Sequence, residues 1–429
     1  MSDREVVITG MGLVSPLGKN IGENWKNMKA LKTGISYFPG DGLPEYLQYY
    51  GKALEFDLPE NIHPKLLSQM KFLNRGSMLG FSSACEAVTH SKTIISDIPP
   101  HRRALYVASG DFTQVGYDFM YPAIKDGTEA RWNNMDFEKL NSSALNKVNP
   151  FFLLESILNN LFSFLSAYFE FMGPSTSLAT LSPCGMNALE LAFRSIKHNE
   201  ADIALVVGCG NWITDVPLQE LRGLGILSKC KRGISSFKPF DRNRDGFVTG
   251  EGGAAIFLES SESAKRRGAE IFGKISTIEN CFEPSPDAGL KVPPNIIKRN
   301  IEMIIKEAGC DIDDLAFISL HGSGTKKGDA SELNSIMEIL KNEQSEVPIC
   351  GLKSYTGHIG AASDVAEIIL GLKALSNNII PATLNFEKTE KEFSNLNISN
   401  SHQECENDRF LSISYGIGGQ STSVIINAE

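Results

Sequence analysis

Short apolar, β-branched runs recur along this chain, bounded by glycine, with amphipathic helical segments between many of them. No other feature restricts the fold as much. The runs are Glu5–Thr9, Ala104–Ala108, Ala204–Gly208, Ala316–Leu320, Phe410–Ser414 and Ser423–Ile426. The helical segments include Asn187–His198, Pro294–Ala308, Ala330–Lys341 and Val365–Leu375. Strands that are apolar throughout are covered on both faces, so the alternation predicts an α/β architecture with mixed sheets. Two stretches break the pattern. Ile35–Pro64 and Asp111–Asn149 are polar, irregular and dotted with aromatics. They are expected to be capping loops over a site, because long structureless stretches in compact domains are usually functional or mobile. No tandem repeat or low-complexity linker divides the chain, yet the two halves share a plan in which a strand ends in a reactive turn.

Size and charge narrow the function. The 429 residues suffice for a large two-part core or for two to three ordinary domains. A formal net charge of −10 argues against broad phosphate neutralisation, and so against a nucleic-acid partner. The eight cysteines are scattered with no C-x-x-C pair, which disfavours a zinc ribbon or redox dithiol and suits a reducing cytoplasm. Val6-Val7-Ile8-Thr9 enters a strand almost at once, so no signal peptide is expected. No apolar run is long enough to span a bilayer, so no membrane association is expected.

Two motifs fail on inspection. Gly10-Met11-Gly12 follows a strand, but Ser15 stands where the third glycine of a dinucleotide turn would fall, so nucleotide binding is discarded. Asp241-Arg242-Asn243-Arg244-Asp245-Gly246 begins like a calcium loop, but Gly252 replaces the closing glutamate. A hydrogen-bonded turn is expected there, and no metal. Three other positions can carry chemistry. Ser182 precedes Pro183 at a helix start. It is either an ordinary N-cap or a hydroxyl beside free backbone N–H groups suited to an oxyanion. His321 and His358 each follow an apolar strand in a glycine-flanked turn, and the chain has only seven histidines. A satisfied core histidine is the plainer alternative for each. Lys353, five residues before His358, is either a surface lysine or the partner of a carboxylate.

Taken together these segments resemble the β-ketoacyl synthases of the thiolase fold, closest to the type II ketosynthases. The resemblance rests on six motifs in order: Val7–Gly18; Pro150-Phe151-Phe152 with Asn159; Gly173–Gly185; Pro239–Val248; His321-Gly322 with Thr325, Gly328 and Asp329; and Lys353-Ser354 with Gly357-His358. Gly416, Gly418 and Gly419 add the family's C-terminal glycine turn. The resemblance implies two pseudo-equivalent mixed-sheet halves, layered αβαβα, with residues 1–260 and 261–429 as the two parts. In register, the family's nucleophilic cysteine falls on Ser182, nine residues after Gly173, and Cys184 becomes a packing residue. Glu367 falls nine residues after His358, where the family's lysine partner lies. Tyr415-Gly416-Ile417 departs from the family's aromatic gate, so Tyr415 and Ile417 are expected to alter acyl gating.

What the resemblance implies for chemistry follows from that one exchange. A ketosynthase first loads an acyl group on its cysteine, then decarboxylates a malonyl thioester so that the enolate attacks the acyl group. A thiol near pKa 8.5 is readily ionised at a helix N-terminus, whereas a serine hydroxyl stays neutral without a base. Decarboxylation needs only donors to the thioester oxygen, for which His321 and His358 remain, with Lys353 and Glu367 setting the local field. The expectation is a decarboxylase that turns malonyl-acyl carrier protein into the acetyl form, like the Cys-to-Ser ketosynthase-like enzymes of polyketide β-branching cassettes. No cofactor is implied beyond the phosphopantetheine of the carrier. A homodimer and a hydroxymethylglutaryl-synthase-like pathway partner are implied. Lys71, Arg75, Lys229, Lys231 and Arg232 are candidates for a basic rim facing the acidic carrier, or plain surface charge. Two rivals stand beside this reading: a non-catalytic subunit like a chain-length factor, and a slow condensing enzyme or acyltransferase that uses Ser182.

Overall fold

A computed structural model describes residues 4–40, 44–109, 119–155, 157, 159–180, 182–285, 292–340 and 345–429. Ten strands build its main sheet. They are β1 (Val6–Val14), β2 (Arg103–Ala108), β3 (Ser175–Leu178), β4 (Ile203–Asn211), β5 (Glu251–Ser260), β6 (Gly273–Phe282), β7 (Phe317–Ser319), β8 (Ile349–Cys350), β9 (Arg409–Tyr415) and β10 (Gln420–Ala428). Their spatial order is β8-β7-β9-β10-β6-β1-β5-β4-β2-β3.

The order is two copies of one pattern. In the first half β3, β2 and β4 run parallel, and β5 and β1 follow antiparallel. In the second half β8, β7 and β9 run parallel, and β10 and β6 follow antiparallel. The halves are joined where Val6–Ile8 of β1 pairs antiparallel with Gly273–Ile275 of β6. One continuous mixed sheet therefore runs through both pseudo-equivalent halves. The composition of the strands explains their placement: β4 (IALVVGCGN) is buried along its first eight residues, as a strand covered on both faces must be.

Helices fill three layers. α1 (Arg75–Ser91) and α2 (Asn160–Phe169) cover the outer face of the first half in a core with Phe81, Leu105, Phe164 and Val207. α4 (Lys298–Ala308) and α5 (Lys326–Leu340) cover the outer face of the second half around Ile301, Ile318, Leu333 and Leu411. Between the halves lie α3 (Cys184–Lys197) and α6 (Ala362–Leu375), which share the largest core with both. In α6 every residue except Lys373 is buried, as expected of a helix enclosed on all sides.

Both stretches expected to be irregular need correction: in Ile35–Pro64, Ile35–Tyr37 pairs antiparallel with Tyr49–Gly51. The stretch Asp111–Asn149 is not wholly irregular: Tyr121–Gly127 and Phe137–Lys147 are α-helices, while 111–118 fall outside the described residues. α1 escaped the periodicity reading because small Gly and Ser residues interrupt its buried apolar face of Leu79, Phe81, Ala84 and Ala87. Gly76 and Gly80 admit β4, and β1 approaches so closely that a Cβ on Gly12 would lie 1.9 Å from the Ser83 carbonyl oxygen.

Candidate active site

Four turns at the strand ends meet at a cavity of about 640 Å³. Its lining includes Ser182 from the turn before α3, His321 from the end of β7, His358 from the turn before α6, and Tyr415, Gly416 and Ile417 from the β9–β10 connection. Thr325 lines it as well, its hydroxyl 2.8 Å from that of Ser323. Close backbone approach makes this possible. A Cβ on Gly416 would lie 2.0 Å from the Ser182 carbonyl oxygen. That oxygen also accepts a hydrogen bond from Gln420 Nε2 at 3.1 Å. Gly357, at φ +77°, turns the chain so that His358 enters the cavity.

The two imidazoles stand 5.6 Å apart, centroid to centroid. His358 stacks on Trp212 at 4.3 Å and lies beside Phe247. His321 lies against Tyr415 at 4.7 Å. Burial, followed by the nearby Lys353 charge, holds both histidines well below their usual pKa, so both are neutral at pH 7. For His358 the tautomer is set: Nδ1 accepts the Gly360 N–H at 3.3 Å, so the ring proton sits on Nε2. His321 Nδ1 is 2.9 Å from the Ser414 hydroxyl, a partner that serves either tautomer. One N–H donor is thus fixed where the sequence led us to expect two.

Behind His321 lies a buried ion pair. Lys353 Nζ is 2.8 Å from Glu367 Oε1 and donates to the His321 carbonyl oxygen at 2.9 Å. The plain surface-lysine alternative therefore fails, for the Lys353 side chain is 1% exposed. Lys353 does not line the cavity, so it positions His321 and supplies field. Burial pushes the Glu367 carboxyl up to about 7, opposed by Lys353. Sequence reasoning missed Glu332, whose two oxygens accept the His321 and Gly322 N–H groups at 2.8 and 3.0 Å. Its signal was a carboxylate on the expected apolar face of a helix.

Ser182 is not the helix cap that Ser-Pro predicted. α3 starts at Cys184, Pro183 occupies the cap position, and no side chain of the cap residue bonds the helix. The carboxylate of Asp364, from α6, takes the Gly185 N–H instead, at 3.1 Å. Ser182 is left to line the cavity, 8% exposed. Cys184 is fully buried in the core between the halves, as expected of a packing residue.

Several expected residues lie elsewhere. Asn159 is exposed at the start of α2 and outside the cavity, because the helix preceding the nucleophile turn packs on the outer face of the first half. No described residue of Ile35–Pro64 or Asp111–Asn149 lines the cavity; its rim comes from Leu221, Leu224, Ile226 and Phe247. The basic rim is only partly as expected. Arg75 turns inward to Glu251 at 2.7 Å, and Arg232 pairs with Glu387. Lys71 packs over Phe72 and Phe151, and Lys229 over Tyr46. Lys231 is exposed. Lys326 and Lys327, which sequence reasoning passed over, line the cavity itself. The Asp241–Gly246 segment is a hydrogen-bonded turn in which buried Asp241 accepts the Asn243, Glu387 and Lys388 amides.

Paired halves around a central helix layer, with strand-end turns converging on one cavity, define the thiolase fold. The chain belongs to the β-ketoacyl synthase family: its N-terminal domain model matches residues 3–264 and its C-terminal domain model residues 287–387. It is 27% identical over 444 residues to a 3-oxoacyl-[acyl-carrier-protein] synthase 2 of Coxiella burnetii, covering 100% of this chain and 99% of that protein. It is 28% identical over 443 residues to the tetracenomycin polyketide synthase ketoacyl synthase alpha subunit of Streptomyces glaucescens, covering 99% and 97%. Among solved structures, a type II polyketide ketosynthase bound to its acyl-carrier protein matches with a TM-score of 0.84 at 22% identity, covering 100% of both chains. The ishigamide ketosynthase/chain length factor matches with a TM-score of 0.82 at 21% identity, again covering 100% of both. No helix among the described residues is long and apolar enough to cross a membrane.

Proposed function

We propose that this chain decarboxylates malonyl-acyl carrier protein to acetyl-acyl carrier protein and forms no carbon–carbon bond. The observation that carries the reading is a serine, Ser182, lining one cavity with two neutral, buried histidines. The carrier's phosphopantetheine presents the malonyl thioester in that cavity. The bond to the terminal carboxylate breaks, CO2 leaves, and the electron pair forms an enolate whose charge grows on the thioester oxygen. His358 Nε2–H is the donor placed for that oxygen, and such a donor contributes about 3–4 kcal/mol, a hundred- to thousandfold in rate. Trp212 and Phe247 shield it from water, which strengthens the interaction. A proton from solvent then adds to the α-carbon. Among the described residues no side-chain base bonds the Ser182 hydroxyl, so it stays neutral and accepts no acyl group.

The product suits a β-branching step, in which a hydroxymethylglutaryl-synthase-like enzyme consumes the acetyl carrier. Lys326 and Lys327 at the cavity, with Lys71, Lys229 and Lys231, would face the acidic carrier, and a homodimer is the assembly the family leads us to propose. The ishigamide neighbour is a ketosynthase/chain length factor, which keeps a non-catalytic partner subunit as the second reading. Incubating the purified protein with malonyl carrier protein and following the carrier by mass spectrometry separates the two. Loss of CO2 to give the acetyl form is expected, and unchanged substrate would favour the partner subunit. A stable acyl adduct on Ser182 would point to the slow condensing enzyme or acyltransferase.

A further inference from the structure

The start of α3 is where a ketosynthase nucleophile gains its acidity, because free N–H groups and the helix dipole favour an anion there. In this chain that end is occupied. Asp364 is fully buried, its Oδ2 accepts the Gly185 N–H at 3.1 Å, and its Cβ lies so near Gly185 that an added Cβ there would be 3.2 Å away. The first turns of α3 and α6 meet at this contact, where Asp364 in the first turn of α6 sets its carboxyl against the Gly185 amide. Burial raises the Asp364 pKa above the ordinary carboxylate value, opposed by the Lys353 charge and by the Gly185 and Met186 amides.

We propose that Asp364 disables position 182 as an anionic nucleophile by placing a fixed carboxylate on the amides that would otherwise stabilise that anion. The block on acyl loading is then double: a hydroxyl replaces the thiol, and the helix end that would acidify a thiol is neutralised. Asp364 is a positioning residue here, acting through α3 rather than on substrate. The inference deepens the decarboxylase reading and draws its catalytic meaning from it.

The plainer account is that Asp364 only caps α3 and favours its own helix dipole. The two differ in what a thiol at position 182 would feel. The test introduces Ser182→Cys alone and together with Asp364→Asn, and measures the rate of iodoacetamide alkylation of the introduced thiol against pH by peptide mass spectrometry. His321, His358 and Tyr415 across the cavity, Asp245, Lys326 and Lys327 lining it, and the Lys353–Glu367 pair behind His321 are the same in both variants. A like charge beside a thiol raises its pKa, so S182C should titrate at or above about 8.5, and S182C/D364N about one unit lower, with alkylation at pH 7 faster by about tenfold. Acyl loading should follow: the thiolate attacks the acyl thioester carbonyl, the bond to the carrier sulfur breaks, and that sulfur takes a proton. S182C/D364A serves as a second variant if the asparagine form folds poorly. Equal thiol pKa values with and without Asp364 would overturn the inference. The titration uses no malonyl substrate, so a wild-type protein inert toward malonyl carrier protein would sink the decarboxylase and leave this result standing.

Discussion

The two helices of the central layer begin at equivalent points in the two halves, each after the strand at its sheet's edge, but their opening turns have parted. Before α6 the turn holds His358, with Gly360 fixing its tautomer and Lys353 paired to Glu367 nearby. Before α3 the turn holds Ser182, and the Gly185 N–H at the helix start is bonded by Asp364. On the proposed reading, the second half holds the groups that would stabilise an enolate, and the first carries a hydroxyl where the family's acyl-accepting thiol falls. If the proposal holds, decarboxylation and acyl loading are separated by changes at one helix start and the carboxyl that packs on it.

The strongest challenge to that contrast is Lys353→Met. It strands Glu367 in the interior, and losing one partner of a buried pair should destabilise the fold by about 3–5 kcal/mol in urea denaturation. A loss under about 1 kcal/mol would mean the pair does not hold the second half together. Next, His358→Ala removes the fixed donor and should lower kcat/KM for acetyl-carrier formation by a hundred- to thousandfold, about 3–4 kcal/mol. A drop of only a few-fold would move the chemistry away from that turn.

The pH dependence is gentler. Both histidines have folded-state pKa values well below 6.5, so the unfolded chain binds more protons than the folded one as pH falls through that value. The stability they contribute is present above about pH 6.5 and is lost as pH falls toward their folded values, with a slope of up to about 1.4 kcal/mol per pH unit for each. The histidines should add no pH dependence to decarboxylation from pH 8 to about 6.5, since both rings are already neutral, and any change in that window belongs to Glu367, raised to about 7 by burial. A rate that falls as an ordinary histidine titrates would contradict their burial. The smallest effect belongs to the first half: Ser182→Ala should change decarboxylation by less than about threefold, because the hydroxyl stabilises no developing charge. A large loss there would return Ser182 to the centre of the chemistry.

Strands such as Ala204–Gly208 were legible because both faces are covered, which leaves a continuous apolar run in the sequence. His321 and His358 stood out because glycine-flanked turns after such strands point side chains into a cleft. α1 was not legible, since close backbone packing selects small residues and erases the periodic apolar stripe. Asn159 was misplaced for a related reason: a motif can be matched in order along the chain while its helix packs away from the site.

The chain by itself determined the α/β alternation, the position of serine at the nucleophile turn, and the survival of both histidines with their lysine. The alternation reads from local composition and spacing, whereas the serine and the histidines with their lysine read from the match to the family's motifs. Only the tertiary structure decided what surrounds Ser182 and His321. Asp364 reaches Gly185 from 179 residues away, and Lys353 reaches the His321 carbonyl from 32 residues away. Such contacts follow from how the two sheet halves dock around the central helices, and docking is set by the packing of the whole core, which no short stretch of sequence contains.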